Sequence, residues 1–154
     1  MAVIRRFSAE DSGQLHAIID TVCGEGRWMS TSCFQPTSEW THALTWTACD
    51  RHLLLVVEID RALVGWCRLF PASSCTAEPL NHDLGIGVLE DYRDQGLGTF
   101  LVGTALRWAR SNSARQVMLD TRPDNQRAIH VFEKSGFQVC GQPANDLLHM
   151  KCAW

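Results

Sequence analysis

Leu84-Gly85-Ile86-Gly87-Val88-Leu89-Glu90-Asp91-Tyr92-Arg93-Asp94-Gln95-Gly96-Leu97-Gly98-Thr99 runs from an alternating, strand-like segment into the start of an amphipathic helix. The strand reads from Asp83 to Leu89, and the helix from about Gly96 to Arg110, with Leu97, Leu101, Val102, Ala105, Leu106 and Ala109 on its inner side. Between them Arg93-Asp94-Gln95-Gly96-Leu97-Gly98-Thr99 has the composition of a loop that cradles phosphate. Glycine lets the backbone approach an anion closely, and the first N–H groups of a helix, reinforced by its dipole, point toward negative charge. Taken alone, Gly96 and Gly98 would equally make a tight strand-to-helix turn. Two better-known phosphate loops do not fit. No Gly-Lys-Ser or Gly-Lys-Thr is present, and Gly96-Leu97-Gly98-Thr99-Phe100-Leu101 lacks the third glycine of a dinucleotide fingerprint.

Working outward, Ala2 to Phe7 reads as a first strand. Ser8 followed by Asp11 reads as a cap on a helix from about Ala9 to Cys23, which ends at Gly24-Glu25-Gly26. Thr37 or Ser38 caps a second helix expected to reach about Cys49. Leu53 to Glu58 and Ala62 to Phe70 form a hairpin about Asp60. Beyond the glycine loop come a strand from Gln116 to Thr121, a helix from near Asp124 to Gly136, and closing strands at Phe137 to Cys140 and Leu147 to Cys152. The fold class is α/β of mixed α+β type. It is a single domain over residues 1–154 with a central, mostly antiparallel sheet of about six or seven strands and about four flanking helices.

A hydrophobic fraction of 45% and a net charge of −3 describe an ordinary globular protein without the basic footprint of a nucleic-acid binder. The seven cysteines show no metal-ligand spacing, so free thiols in the cytoplasm and no metal are expected. No apolar run approaches a membrane span.

The stretch Leu84 to Thr99 resembles motif A of the GNAT superfamily of acyl-CoA-dependent N-acyltransferases, and Asn125-Gln126-Arg127-Ala128-Ile129-His130-Val131-Phe132-Glu133-Lys134-Ser135-Gly136-Phe137 resembles its motif B. A looser likeness at Leu63 to Trp66 and Leu147 to Lys151 extends the resemblance to about two thirds of the chain. It implies a GNAT fold and acetyl-CoA as cofactor. Ile86, Gly87 and Val88 would offer backbone groups to the pantetheine amides. Asp94, Gln95, Gly96, Leu97, Gly98 and Thr99 would wrap the pyrophosphate, with Arg93 helping to hold loop and diphosphate. Asn125 would bond the cofactor near its pantetheine arm.

In such enzymes the amine attacks the thioester directly, which calls for orientation, a proton acceptor, oxyanion stabilisation and a proton for the thiolate. The resemblance places a tyrosine as general acid at a position lining the cofactor, and this chain carries Phe132 there, whose ring has no proton to donate. The sole tyrosine, Tyr92, lies in the loop and reads as a packing residue. His130 points about 200° from Phe132 on a regular helix and reads as a surface residue. His82 and Asp83, before the central strand, are the candidate bases, although a polar loop end explains both as readily. Glu25, Trp28 and Met29 are candidates for acceptor binding, Glu25 as partner of a cationic amine and Trp28 as an apolar wall. Cys67 and Cys75 lack the histidine and acid that a nucleophile would need. The expected activity is transfer of acetyl to a small-molecule primary amine. A protein or peptide amino group and a non-catalytic acyl-CoA-binding module are the alternatives, and a homodimer is left open.

Overall fold

A computed structural model describes residues 1–25, 37–47, 49, 51–71, 81–112, 114–140 and 146–154. Seven strands, β1 (Ala2–Arg6), β2 (Leu53–Ile59), β3 (Ala62–Pro71), β4 (Asn81–Val88), β5 (Gln116–Thr121), β6 (Gln138–Val139) and β7 (Leu148–Ala153), form one sheet in the order β1-β2-β3-β4-β5-β7-β6. Every pairing is antiparallel except β4 with β5. The helices are α1 (Ser12–Gly24), α2 (Ser38–Thr45), α3 (Leu97–Ser111) and α4 (Gln126–Lys134).

Strand alternation sorts the apolar residues into two cores. Leu55, Val57, Cys67, Leu69 and Leu84 meet Leu101, Val102, Ala105 and Ala109 of α3 and Phe132 of α4 on one face. Leu54, Val56, Trp66 and Phe70 meet Leu15, Ile18, Ile19 and Val22 of α1 and Trp40 of α2 on the other. Because both faces are covered, β2 and the middle of β3 are apolar at consecutive positions and nearly all buried.

Two helix ends differ from the sequence expectation. Ala9–Asp11 is a single 3-10 turn preceding α1, because the Asp11 carboxylate receives the Ser8 N–H at 2.8 Å together with both terminal nitrogens of Arg5, each at 2.8 Å. Helix α2, expected to reach about Cys49, stops at Thr45. Trp46 leaves the helical region at φ −116° and ψ 74°, and Arg6 draws the following loop inward by donating to the Cys49 and His52 carbonyls. Gly136, with φ 106°, directly follows the C-cap Ser135 and ends α4 as anticipated. No helix among the described residues is long and apolar enough to cross a membrane.

Candidate active site

The one parallel pairing is short. β4 and β5 are in register only over Asn81–Gln116, His82–Val117 and Asp83–Met118. Beyond Asp83, β4 continues with β3 as far as Val88, while β5 continues with β7 as far as Thr121. A cleft of about 330 Å³ lies where they part, walled by Leu84 to Val88 on one side and Leu119 to Thr121 on the other. The Leu89 N–H donates to the Val64 carbonyl at 2.8 Å, which makes Val64 and Leu89 a hydrogen-bonded pair. In an antiparallel ladder such pairs alternate, so Gly87 directs its backbone groups to Trp66, whereas Ile86 and Val88 turn theirs toward the cleft. The Val88 carbonyl, which accepts the Arg93 Nε–H at 2.8 Å, agrees with that direction. Gly85 and Gly87 keep this wall thin. An added Cβ would run into the Trp66 indole at Gly87 and come within 2.7 Å of the Arg68 guanidinium at Gly85.

The glycine loop connects two cleft-lining residues, Arg93 and Gly98. Asp94 and Gly96 both take positive φ, 62° and 82°, and the turn they make starts α3 at Leu97. The N–H groups of Leu97, Gly98 and Thr99 thus belong to a first turn with no intrahelical acceptors. Asp94, Gln95, Gly96, Leu97 and Thr99 build this turn without walling the cleft themselves. Arg93, expected to help hold the loop and the diphosphate, forms a two-point ion pair with Glu25, at 2.9 and 2.7 Å, besides its bond to Val88. Glu25, expected to meet an acceptor cation, therefore joins the end of α1 to the phosphate-type loop. Arg127 of α4 adds a second tie, 2.9 Å from Asp94. Trp28 and Met29 lie outside the described residues.

The two candidate bases are adjacent in sequence and point to opposite faces. His82 is buried against the Trp108 ring of α3, its Nε2 3.2 Å from the Arg51 carbonyl, and it does not line the cleft. Burial holds its imidazole below the usual pKa, favouring the neutral ring. Asp83 does line the cleft, and burial pushes its carboxyl above the ordinary range. The Arg68 charge opposes that rise and the nearby Asp120 charge adds to it. Arg68 and Asp120 line the cleft too, and Asp120 pairs with His149 of β7. Asp83, Arg68, Asp120 and His149 thus make a polar group that the sequence reading found only in part. A β3–β4 register placing Phe70 opposite Asp83, and a β5–β7 register placing Asp120 opposite His149, assemble it. The period-two alternation of each strand was the available signal; the pairing of β5 with β7 was not.

Asn125 lines the cleft and caps α4, its Oδ1 accepting the Ala128 N–H at 3.3 Å. Phe132 lines it as well and packs on Phe137 with ring centroids 5.8 Å apart. Cys67 is fully buried in the α3-side core, and burial pushes its thiol to about 12, far from the thiolate a nucleophile requires. Cys75 lies outside the described residues.

Comparison with known proteins agrees with this geometry. The sequence profile of the acetyltransferase (GNAT) family matches residues 23–137. A mycothiol acetyltransferase of Corynebacterium efficiens is 43% identical over 54 residues, which is 35% of this chain and 18% of that protein, so the match spans less than a fifth of the relative. Among solved structures, a GNAT-family acetyltransferase from Streptococcus pneumoniae superposes with a TM-score of 0.85 at 22% identity, covering 99% of each chain. The PaiA N-acetyltransferase of Thermoplasma acidophilum, solved in complex with coenzyme A, superposes with a TM-score of 0.76 at 15% identity, over 100% of this chain and 99% of the other. With three quarters of its length matched by the family profile, on a sheet that parts beside a glycine-turned helix start, the chain belongs to the GNAT family of acetyltransferases.

Proposed function

We propose that this chain transfers the acetyl group of acetyl-CoA directly to the primary amine of a small molecule, in the cleft between β4 and β5. The observation that carries the reading is the division of that cleft. Outward-turned backbone groups of Ile86 and Val88 and a glycine-turned helix start suit one substrate, and a partly buried carboxyl at Asp83 suits the other. The relative named for mycothiol acetylation supports a small acceptor.

In this reading the pantetheine arm lies along Ile86 and Val88 like a short extra strand, and the diphosphate rests on the N–H groups of Leu97, Gly98 and Thr99. Asn125 and Phe132 flank the arm. Arg93 holds the loop in place through Glu25 rather than touching phosphate. An alkyl ammonium with pKa near 10.4 is about 0.1% neutral at pH 7, so it must lose a proton before it attacks. Asp83, directly or through one water, takes that proton. The amine nitrogen then bonds to the thioester carbon, and the Val88 N–H stabilises the oxyanion. The C–S bond breaks as the intermediate collapses, and the extra proton on the former amine nitrogen passes to water, leaving the neutral amide. Phe132 has no proton to give, and a thiolate whose acid has a pKa near 8.5 is a competent leaving group that takes its proton from water.

A panel of small primary amines and of peptides with free N-termini, each with acetyl-CoA and a thiol-release readout, tests the acceptor class. Turnover with small amines at a kcat/KM well above that of every peptide is expected. Turnover confined to peptides would move the reading to a protein acceptor.

A further inference from the structure

The loop that ends α2 early gathers three metal-type donors, none of which lines the cleft. The His42 Nε2 lies 3.4 Å from the Cys49 Sγ, and the His52 Nδ1 lies 3.5 Å from the same sulfur. All three donor atoms fall within 4.8 Å of one another. A tetrahedral zinc ion bound at about 2.0–2.1 Å to nitrogen and about 2.3 Å to sulfur would hold such N and S atoms roughly 3.5 Å apart. Both observed N···S separations match that edge, and the two nitrogens lie within 4.8 Å of each other.

The surroundings fit the same purpose. The His52 Nε2 lies in hydrogen-bond contact with the Glu39 carboxylate, the arrangement that fixes the tautomer of a metal-bound histidine and leaves Nδ1 as the lone-pair donor. The Arg51 N–H points at the Cys49 sulfur from 3.4 Å, a contact suited to a thiolate. Arg6 pins the carbonyls of both Cys49 and His52, so the loop is held in place before any ion arrives. The His42 and His52 rings are nearly parallel with centroids 4.2 Å apart, and Trp46 stacks on the outer side of His42. Nothing in the sequence warns of the site, because its His-x6-Cys-x2-His spacing belongs to no familiar pattern and the donors converge only when α2 stops at Thr45.

We infer that His42, Cys49 and His52 form a binding site for a single borderline divalent cation of the zinc class, tying α2 to the start of β2. Three protein ligands leave the fourth tetrahedral position to water or an added ligand. Binding replaces the Cys49 thiol proton with the metal and releases that proton to solvent.

The test uses the full chain stripped with chelator, then titrated with zinc alone by calorimetry, with cobalt(II) as a spectroscopic substitute that reports a thiolate ligand by its charge-transfer band. One ion per chain and a cobalt–thiolate band are expected. Cys49→Ala should abolish the band, and Cys49→Ala and His42→Ala should each weaken zinc binding at least about 100-fold, with Glu39→Gln weakening it about 10-fold or more. Circular dichroism and acetyl-CoA binding identical to the parent chain identify folded variants. His42, half-exposed, gives the variant with least risk to the core. Zinc binding by the parent that is unchanged in folded His42→Ala and Cys49→Ala, a cobalt complex without a thiolate band, or no binding by the parent would each overturn the proposal.

Discussion

Asp83 sits in a cleft that Arg68 and Asp120 also line, and burial, ahead of these two charges, sets its protonation. Burial raises its pKa, Arg68 opposes the rise and Asp120 reinforces it. The acid limb of kcat/KM against pH is therefore predicted to lie above the ordinary carboxylate value near 3.9, and Asp83→Asn is predicted to remove that limb while lowering kcat/KM by about 10²- to 10⁴-fold. A pH–rate series on both proteins with one good amine checks this, and an unaltered profile in the variant would assign the proton to another group. The companion variant His82→Ala should leave the limb in place, since its ring faces Trp108 across the sheet from Asp83. Gly98 offers a cleaner probe of the phosphate loop than Gly96. The positive φ of Gly96 strains any replacement, whereas a Cβ at Gly98 meets only Val131 methyls at ordinary distances of 3.7 and 3.9 Å. Gly98→Asp should weaken acetyl-CoA binding by about 10- to 100-fold, because a carboxylate beside the diphosphate repels it and displaces it from the helix N–H groups. The thermal midpoint of the free protein should change little. Calorimetric titration with the cofactor measures the affinity.

At the scale of elements, the Arg93–Glu25 pair shows how a residue at a helix end can govern a site it does not itself line. Glu25→Ala is predicted to raise KM for acetyl-CoA several-fold while leaving kcat nearly unchanged, because it frees the loop before α3 without touching the substrate. Steady-state kinetics at saturating amine distinguishes the two parameters. A structural tie of another kind holds α1. The Asp11 carboxylate, almost fully buried, receives two bonds from Arg5 and one from the Ser8 N–H, and the Arg5 bonds foremost hold its pKa below the ordinary aspartate value of 3.8. A lowered folded pKa means the unfolded chain binds the proton more readily, so this stabilisation is complete above the unfolded value and is lost as pH falls through the folded one. Asp11→Ala should cost about 2–4 kcal/mol at pH 7, and that deficit should shrink as pH falls below the unfolded value of 3.8. Chemical denaturation of both proteins across that pH range tests the sign. The cap at Ser8 and Asp11 was legible from spacing alone, but the engagement of the same carboxylate by Arg5 was not, since it needs β1 folded beside the turn. The ends of α2 show the opposite limit. Local propensity ran the helix to Cys49, and the pull of Arg6 on the Cys49 and His52 carbonyls ended it at Thr45.

The whole molecule is two half-sheets sharing three residue pairs of parallel register, and the site is the gap left when they separate. The strands and their order along the chain follow from alternation and turn residues, and the glycine loop marks one wall of the gap without any coordinates. What the sequence lacks is the register of β7 between β5 and β6, which carries His149 to Asp120 and closes the polar side of the cleft. Non-local pairings of this kind leave no trace in a local pattern, which is why Arg68, Asp120 and His149 emerge only with the fold. If the two walls form one catalytic unit, turnover must need both. The most direct measurement is release of coenzyme A thiol from acetyl-CoA with a reactive small primary amine, with mass spectrometry of the amine product, for the parent chain, Gly98→Asp and Asp83→Asn. The predicted result is acetylated amine in equal amount to thiol from the parent, loss of rate in Asp83→Asn with cofactor affinity intact, and loss of affinity in Gly98→Asp. Cofactor binding by the parent with no acetylated product from any amine would contradict a catalytic role for the cleft.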